Sequence, residues 1–358
     1  MAKKSTVLVV GTGTIGEPLI GLFSHLKEEL GIHNVCFHKR TPLKYEIAKV
    51  NSLVEKGAHL VVDEDKISKF QSLGHVPSYT MANALDIADV VIDCTPAGNI
   101  NKSSVYDEHA SNSETLFIAQ GSEKGFGVPY AWGINDQALI GSCSQFIQVV
   151  SCNTHAISRI ITALSRGCVD NLRSADFVCI RRANDASQDS GFIPSPMCGK
   201  HTDSTFGTHH ARDVNDLFAT TRSEKMPIFS SALKVNTQYM HMIRFSVILG
   251  ESLTLETVLD RLSEDEFVAV THHTSTNKVF SFGRDHGFYG RIYNQAVVSL
   301  PSLSVFHDVG GTRITGFVMT PQDGNSLLSS ISSAMYGLHS EDYLQKLQPI
   351  KRFLLDEV

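Results

Sequence analysis

The sequence predicts an α/β protein, with a doubly wound parallel sheet at the N-terminus and a second, α+β domain that has a mostly antiparallel sheet. In the first third of the 358 residues, short β-branched and apolar runs alternate with helical patterns. Such alternation implies parallel strands joined by right-handed crossovers. After residue 152 the strand-like runs become longer, and helices separate them less regularly. This second pattern is typical of an antiparallel sheet.

The elements of the first domain follow from local patterns. A strand is predicted at each short run in which apolar residues predominate, because a strand covered on both faces has no polar side. A helix is predicted between Ile15 and Leu30, where apolar residues recur on one face, and Gly31 ends it. The predicted strands are 6–10, 34–38, 58–62, 89–93, 116–119 and 146–150, and a second helix is predicted over 43–56.

The second domain is predicted from a helix over 153–165 and from the longer runs after it. We expect residues 1–151 to form the first domain, completed by a C-terminal helix over 336–358, and residues 152–335 to form the second. The polar stretch 185–213 is predicted to be rich in loops. Further strands are predicted over 175–180, 242–249, 267–271 and 313–319, and further helices over 325–335 and 340–355.

A glycine-rich turn follows the first strand. Gly11, Gly13 and Gly16 have the spacing G-x-G-x-x-G, with Thr14 and Ile15 before the last glycine. The turn lies between a predicted strand and a predicted helix, which is the context that this motif requires. One glycine makes the tight turn, one lets a pyrophosphate approach the backbone, and one packs helix on strand. The motif predicts a Rossmann dinucleotide-binding domain; the alternative is a turn whose glycines serve packing alone.

The end of the second strand indicates which dinucleotide is bound. Rossmann domains that prefer NAD usually place an acidic residue there to hold the ribose hydroxyls. This chain has Lys39 and Arg40 instead, and such residues bind a 2′-phosphate. We therefore expect NADP as the preferred cofactor and NAD as the alternative, unless these residues form only a solvated basic loop.

Cys152 is the candidate nucleophile. It lies where the predicted strand 146–150 ends and a helix begins. The dipole and free N–H groups of a helix first turn favour a thiolate, and the same N–H groups hold the oxyanion that forms when a thiolate attacks a carbonyl. The alternative is an inert buried cysteine. The seven cysteines are scattered and include no C-x-x-C pair, so neither a disulfide framework nor a metal site is predicted.

Seven blocks of the sequence, in this order, resemble a known family. They are GTIG at 13–16, DCTPAG at 93–98, QGSEK at 120–124, VVSCNT at 149–154, RRA at 181–183, THHARDV at 208–214 and TQYMHM at 237–242. The set is similar to the phosphorylating glyceraldehyde-3-phosphate dehydrogenases, specifically to their archaeal-type (type II) branch. The chain departs from that branch at Ile243, where a second histidine usually follows the catalytic base, and over 273–300, which matches poorly.

The resemblance implies roles for individual residues. Cys152 matches the family's nucleophile and His241 its catalytic base, although spacing alone favours a buried core histidine at position 241. Of two adjacent arginines in a strand only one reaches a given pocket, and we expect it to be Arg182. The residues expected to bind substrate and phosphate are Ser151, Asn153, Thr154, Arg181, Arg182, His209, His210 and Arg212. Those expected at the cofactor, besides the glycine-rich turn, are Lys39, Arg40, Thr95, Pro96, Gly98, Gln120 and Gly121.

The implied activity is the reversible, NAD(P)-dependent phosphorylating oxidation of glyceraldehyde 3-phosphate to 1,3-bisphosphoglycerate, through a thiohemiacetal and a thioester on Cys152. Its substrates are then glyceraldehyde 3-phosphate and inorganic phosphate, its setting glycolysis or gluconeogenesis, and its assembly a homotetramer in which the second-domain sheets pack together. Two alternatives stay open. One is a related Cys-dependent semialdehyde or acyl-phosphate reductase, and the other is a dinucleotide-binding protein without catalysis.

The composition argues against several broader classes. With 31 Lys and Arg against 37 Asp and Glu, the net charge of -6 does not favour binding to nucleic acid or anionic membranes. No run reaches the roughly 18 apolar residues of a membrane span. The first residues lack the apolar core of a signal peptide. A cytoplasmic location is therefore expected, where thiols stay reduced.

Overall fold

The computed structural model describes residues 5–121, 123–184, 191–237, 239–321 and 323–358. These residues form two compact units, each of which contains a sheet. The first unit comprises the described residues of Met1–Tyr130, Ala138–Val149 and Ser329–Pro349. The second comprises those of Ala131–Gln137, Val150–Leu328 and Ile350–Val358.

The first unit is built around a parallel sheet. Its strands are β1 (Thr6–Val10), β2 (Asn34–His38), β3 (His59–Val62), β4 (Tyr79–Thr80), β5 (Val90–Asp93), β6 (Leu116–Gln120), β7 (Val128–Tyr130) and β8 (Phe146–Val149). Their spatial order is β4-β3-β2-β1-β5-β6-β8-β7, and every pair of neighbours is parallel. All residues of β1 are buried. The strand order reverses between β1 and β5, and the carboxyl ends of two such strands are where doubly wound sheets bind their ligands.

Helices connect these strands. They are α1 (Gly16–Leu26), α2 (Ile47–Glu55), α3 (Ile67–Ser72), α4 (Met81–Ile87), α5 (Gly98–Asn101), α6 (Asp107–Ala110) and α7 (Gln137–Ile140). The apolar face predicted for α1 is buried, with Leu19, Phe23 and Leu26 all inaccessible to solvent. The predicted helix 43–56 begins instead as a 3-10 turn over Lys44–Glu46 and continues as α2.

The second unit is built around a mixed sheet. Its strands are β9 (Leu172–Arg181), β10 (Met197–Cys198), β11 (Ile228–Lys234), β12 (His241–Leu249), β13 (Val268–Thr271), β14 (Ala296–Ser299), β15 (Ser304–Asp308) and β16 (Gly311–Thr320). Their order is β10-β11-β9-β12-β16-β14-β13, and β15 also pairs with β16. The pairs β9–β11 and β13–β14 are parallel, and the other described pairs are antiparallel. The predicted fold class is confirmed.

A long helix lies at the centre of the second unit. The remaining helices of the chain are α8 (Cys152–Ser165), α9 (His209–Phe218), α10 (Leu255–Ser263), α11 (Thr276–His286), α12 (Leu327–Leu338) and α13 (Tyr343–Lys346). Ile157 and Ile160 of α8 share a core with Phe177 and Phe245 of the sheet. Arg159, also buried on α8, donates to Gln295 at 2.9 Å. These contacts fix the helix that begins at Cys152.

One prediction for the second half of the chain is wrong. The predicted helix 340–355 is divided into α13 and a 3-10 helix over Gln348–Phe353, because Pro349 has no N–H for a continuing α-helix. The stretch 185–213, predicted to be rich in loops, is mostly loop in its described part, although it also contains β10 and the start of α9; residues 185–190 lie outside the described residues. None of the helices in the described ranges combines the length and apolar character that crossing a lipid bilayer requires.

Candidate active site and dinucleotide-binding turn

The glycine-rich turn has the shape that a bound pyrophosphate needs. Gly11 has a φ of +96°, a left-handed conformation that favours glycine. A Cβ at Gly16 would lie 2.1 Å from the carbonyl oxygen of Gly11, so α1 packs against the turn without room for a side chain. A Cβ at Gly13, by contrast, would meet no atom within 4 Å. Thr14 and Ile15 lead from this open position into α1, so the residues present fit a dinucleotide.

A second loop follows β5 at the same end of the sheet. The buried carboxylate of Asp93 accepts from the backbone N–H of Thr95 at 2.8 Å, from the Asn101 amide at 2.7 Å and from the Tyr106 hydroxyl at 2.8 Å. These hydrogen bonds order the loop that carries Thr95, Pro96 and Gly98, the residues expected near the cofactor. The buried carboxylate of Asp93 therefore holds this loop in place.

The third segment at this end follows β6. Gln120, the last residue of β6, accepts from Ser330 at 3.1 Å. Gly121 has a φ of +69° and donates its N–H to the carbonyl of Val149 at 2.9 Å. Both residues therefore lie at the carboxyl edge of the sheet, where the sequence predicted them.

The basic residues at the end of β2 have an acidic neighbour that sequence reasoning missed. Lys39 is hydrogen-bonded to the carboxylate of Glu46, whereas Arg40 is exposed. Glu46 also accepts from Lys49 at 3.1 Å. A carboxylate is therefore present at the end of β2 after all, supplied by the next element along the chain.

Cys152 is the first residue of α8, as predicted. Ser151 is the N-cap residue, and its hydroxyl accepts from the backbone N–H of Thr154 at 3.3 Å. The main-chain carbonyl of Cys152 accepts from the Asn325 amide at 2.9 Å. The thiol is partly exposed, and the 14-residue helix directs its positive dipole end toward it. This placement favours a thiolate.

His241 lies beside Asn153, the residue that follows the candidate nucleophile Cys152. Its Nδ1 is 3.1 Å from Oδ1 of Asn153, and the two residues are 8% and 2% exposed. Met240, with a φ of +47°, turns the chain into β12 so that His241 is its first residue. Burial lowers the pKa of His241 well below its ordinary value, and the positive charges of Arg182 and Arg181 lower it further. The imidazole is therefore neutral at physiological pH.

The same hydrogen bond determines which ring nitrogen of His241 can accept a proton. Because Oδ1 of Asn153 is an acceptor, Nδ1 carries the hydrogen, and the lone pair of the neutral ring is then on Nε2. The structure thus gives Asn153, which was expected at the substrate, a direct contact with the expected base.

Two arginines and a histidine lie around His241. Arg181 is the last residue of β9, and Arg182, just beyond the strand, is paired with Asp323 at 3.2 Å. His210 is buried on α9, and burial lowers its pKa to about 3, with further lowering by His209 and Arg181. The expected grouping of arginines and histidines is therefore present in this unit.

Several polar atoms of this grouping have no hydrogen-bond partner among the described residues. They are both ring nitrogens of His210 and the Nε atoms of Arg181 and Arg212. His209 lies at the exposed start of α9, with its ring centroid 4.0 Å from that of His210. A terminal nitrogen of Arg212 is 3.1 Å from Asp213. Buried donors of this kind suit an anionic ligand. Within the described ranges, no group of His, Cys, Asp and Glu is arranged to hold a metal ion.

Comparison with known proteins gives relatives that share one description. A glyceraldehyde-3-phosphate dehydrogenase of Methanocaldococcus jannaschii is 26% identical over 320 residues, which cover 84% of this chain and 85% of the relative. The chain resembles the archaeal glyceraldehyde-3-phosphate dehydrogenases. Those of Methanopyrus kandleri and Sulfolobus acidocaldarius are 29% identical over 302 residues and 25% identical over 352 residues. They cover 79% and 94% of this chain, and the matches span 78% and 88% of the relatives. No family model matches the chain.

The similarity to glyceraldehyde-3-phosphate dehydrogenases confirms the resemblance that the motifs predicted. Two contacts at the candidate sites still had no signal in the sequence. Glu46, at the end of the 3-10 turn over Lys44–Glu46, reaches back to Lys39. Asn153 reaches His241 because α8 packs beside β12. Both contacts join residues from different elements, which a local pattern does not reveal.

Proposed function

We propose that this protein catalyses the reversible, NAD(P)-dependent phosphorylating oxidation of glyceraldehyde 3-phosphate to 1,3-bisphosphoglycerate. The observation that carries the proposal is the linked arrangement of Cys152, Asn153 and His241. The nucleophile starts α8, and the next residue holds the base at 3.1 Å. The similarity to archaeal enzymes of that name supports the same activity.

The first unit is the dinucleotide-binding domain in this proposal, and the second unit is the catalytic domain. Gly11, Gly13 and Gly16 would hold the pyrophosphate, since the turn is open above Gly13. Thr95, Pro96, Gly98, Gln120 and Gly121 line the same end of the sheet. Lys39 and Arg40 favour NADP over NAD. When bound, the nicotinamide supplies the hydride acceptor.

Cys152 performs the first chemical step. Its thiolate attacks the aldehyde carbon, and a new C–S bond forms while the carbonyl electrons move to oxygen. Backbone N–H groups at the start of α8 stabilise this oxygen as charge develops on it. Once protonated, the adduct is a thiohemiacetal on Cys152. The Ser151 cap holds the first turn in the geometry that this requires.

His241 is the general base for the oxidation. Nε2 takes the hydroxyl proton of the thiohemiacetal as the hydride leaves its carbon, and a thioester on Cys152 remains. Asn153 keeps Nδ1 protonated, and the low pKa of His241 keeps the ring neutral and able to accept. An oxygen of inorganic phosphate then attacks the thioester carbon. The C–S bond breaks, the acyl phosphate leaves and the Cys152 thiolate returns.

The grouping of arginines and histidines binds the two phosphates of this reaction. Arg181, His210 and Arg212 carry buried nitrogen atoms without partners among the described residues, and a phosphate offers oxygen acceptors to such donors. Arg182 contributes charge to the site while it pairs with Asp323. The alternative substrate, a semialdehyde with a carboxylate group, would need only one anion-binding position instead of two.

The second unit also suggests how the protein assembles. One face of its sheet carries the partly buried apolar side chains of Val178, Ile180, Met242 and Phe317. Ile180 pairs with Met242, whereas Val178 and Phe317 lie on either side of Arg244. We propose that this face joins protomers in a homotetramer. A reduced thiol nucleophile also fits the reducing cytoplasm, which we propose as the location.

One assay tests this function. The initial rate of NADP or NAD reduction is measured with glyceraldehyde 3-phosphate, with and without inorganic phosphate. We expect turnover only with phosphate, none in Cys152→Ser, and an unchanged rate in the control Cys143→Ser, which replaces an exposed cysteine. No dinucleotide reduction under any of these conditions, or full activity in Cys152→Ser, would overturn the proposal.

A further inference from the structure

Four charged side chains form a connected cluster at the carboxyl end of β2 in the first unit. The carboxylate of Glu46 contacts the ammonium groups of Lys39 and Lys49, the second at 3.1 Å. Lys49 also lies 3.4 Å from the carboxylate of Glu17 and 3.4 Å from the carbonyl oxygen of Thr12. Because Thr12 belongs to the glycine-rich turn, the cluster adjoins the proposed pyrophosphate position.

Three of the four side chains are partly shielded from water, whereas Glu17 is 46% exposed. The side chains of Lys39, Glu46 and Lys49 are 11%, 17% and 29% exposed. Burial opposes the ionisation of Glu46, but hydrogen bonds from Lys39 and Lys49 outweigh it and hold the pKa of Glu46 below its ordinary value. Glu46 is therefore ionised at neutral pH. Partly desolvated charges respond to a further charge nearby more strongly than charges in open solvent do.

The two dinucleotides differ only at the 2′ position of the adenosine ribose, which the residues at the end of the second strand contact in Rossmann domains. NAD has a hydroxyl there, which donates to a carboxylate. NADP has a phosphate, which a carboxylate repels and ammonium groups bind. This chain places both kinds of group at that end, because Glu46 returns to Lys39 from the element after β2.

We propose that Glu46 and Lys49 are specificity-determining residues for the 2′ position of the dinucleotide. Glu46 accepts from a 2′-hydroxyl while it neutralises the two lysines. A 2′-phosphate replaces Glu46 as the partner of the two lysines, so Lys39 and Lys49 both bind the phosphate. The inference rests on the proposed dinucleotide function, and it predicts that the protein uses both cofactors with Glu46 limiting the preference for NADP.

Isothermal titration calorimetry of the full chain tests this inference through dissociation constants. NADP and NAD are each titrated into wild-type protein, Glu46→Gln and Lys49→Met. The controls are Glu55→Gln and Lys56→Met, which make the same charge changes at the far end of α2. We expect the affinity for NADP relative to NAD to rise about tenfold in Glu46→Gln and to fall about tenfold in Lys49→Met, with smaller changes at high salt. The controls should keep the wild-type ratio.

The possible failures are distinguishable. Wild-type protein that binds neither dinucleotide would overturn the proposed function and this inference together. Wild-type protein that binds both, with ratios in Glu46→Gln and Lys49→Met within twofold of wild type, would overturn the inference alone. A thermal unfolding curve shows whether each variant is folded. If Glu46→Gln or Lys49→Met fails to fold, the other variant still tests the inference.

Discussion

Replacing Asn153 by alanine should slow catalysis while leaving the fold intact. Asn153 and His241 are almost fully buried and 3.1 Å apart, so the substitution removes the acceptor of a buried N–H. Leaving such a donor unpaired costs about 1–3 kcal/mol. If this cost falls on the transition state, kcat drops about 5- to 150-fold, since about 1.4 kcal/mol is a factor of ten in rate. The assay is kcat for phosphate-dependent dinucleotide reduction.

Two further variants separate positioning from general disturbance. Asn153→Asp places a carboxylate beside His241, which raises its pKa, so the acid limb of the kcat profile should move up by about one pH unit or more. The control is Asn277→Ala, an exposed position on α11, which should behave as wild type. A kcat for Asn153→Ala within twofold of wild type, with an unmoved acid limb in Asn153→Asp, would refute the role given to this contact.

Three further predictions concern stability and cofactor binding. Burial lowers the pKa of His155 to about 4, against about 6.5 when unfolded, so its stability contribution is full above pH 6.5 and lost as pH falls. In urea unfolding, the free energy of unfolding of wild type should fall between pH 7 and pH 5 by about 2 kcal/mol more than that of His155→Gln. Gly13→Ala should fold normally but lose about tenfold or more in dinucleotide affinity by calorimetry, whereas Gly16→Ala should lose about 1–3 kcal/mol of stability. Arg182→Met removes the ion-pair partner of the partly buried Asp323 carboxylate and should cost about 1–3 kcal/mol in the same urea assay.

Much of the fold could be predicted from the sequence because burial leaves a direct trace in it. A central strand such as β1 is covered on both faces, so five consecutive residues are buried, four of them apolar. The alternation of such runs with helical patterns then implied the parallel sheet. The C-terminal end was harder to predict, because the pattern over 340–355 is helical apart from one proline, Pro349. The helix is interrupted there, between α13 and the 3-10 helix over Gln348–Phe353.

The candidate sites were predictable where one element determines them. Cys152 at a strand-to-helix boundary and the glycines after β1 are local features, and the structure places both as expected. The pairing of Glu46 with Lys39 and of Asn153 with His241 depends on how separate elements pack. The start of α9 at His209 was missed because the polar residues before it suggested a loop.

The covalent step at Cys152 is the central claim, and a single-turnover experiment in phosphate-free buffer tests it most directly. Enzyme is mixed rapidly with glyceraldehyde 3-phosphate and NADP, and the absorbance of the reduced dinucleotide is followed. The protein is then digested, and the masses of its peptides are measured by mass spectrometry. We expect a burst of one reduced dinucleotide per subunit and no further turnover. The peptide that contains Cys152 should carry a 3-phosphoglyceryl thioester, which added phosphate releases. Continued turnover without phosphate, or an acyl group on another residue, would contradict the central claim.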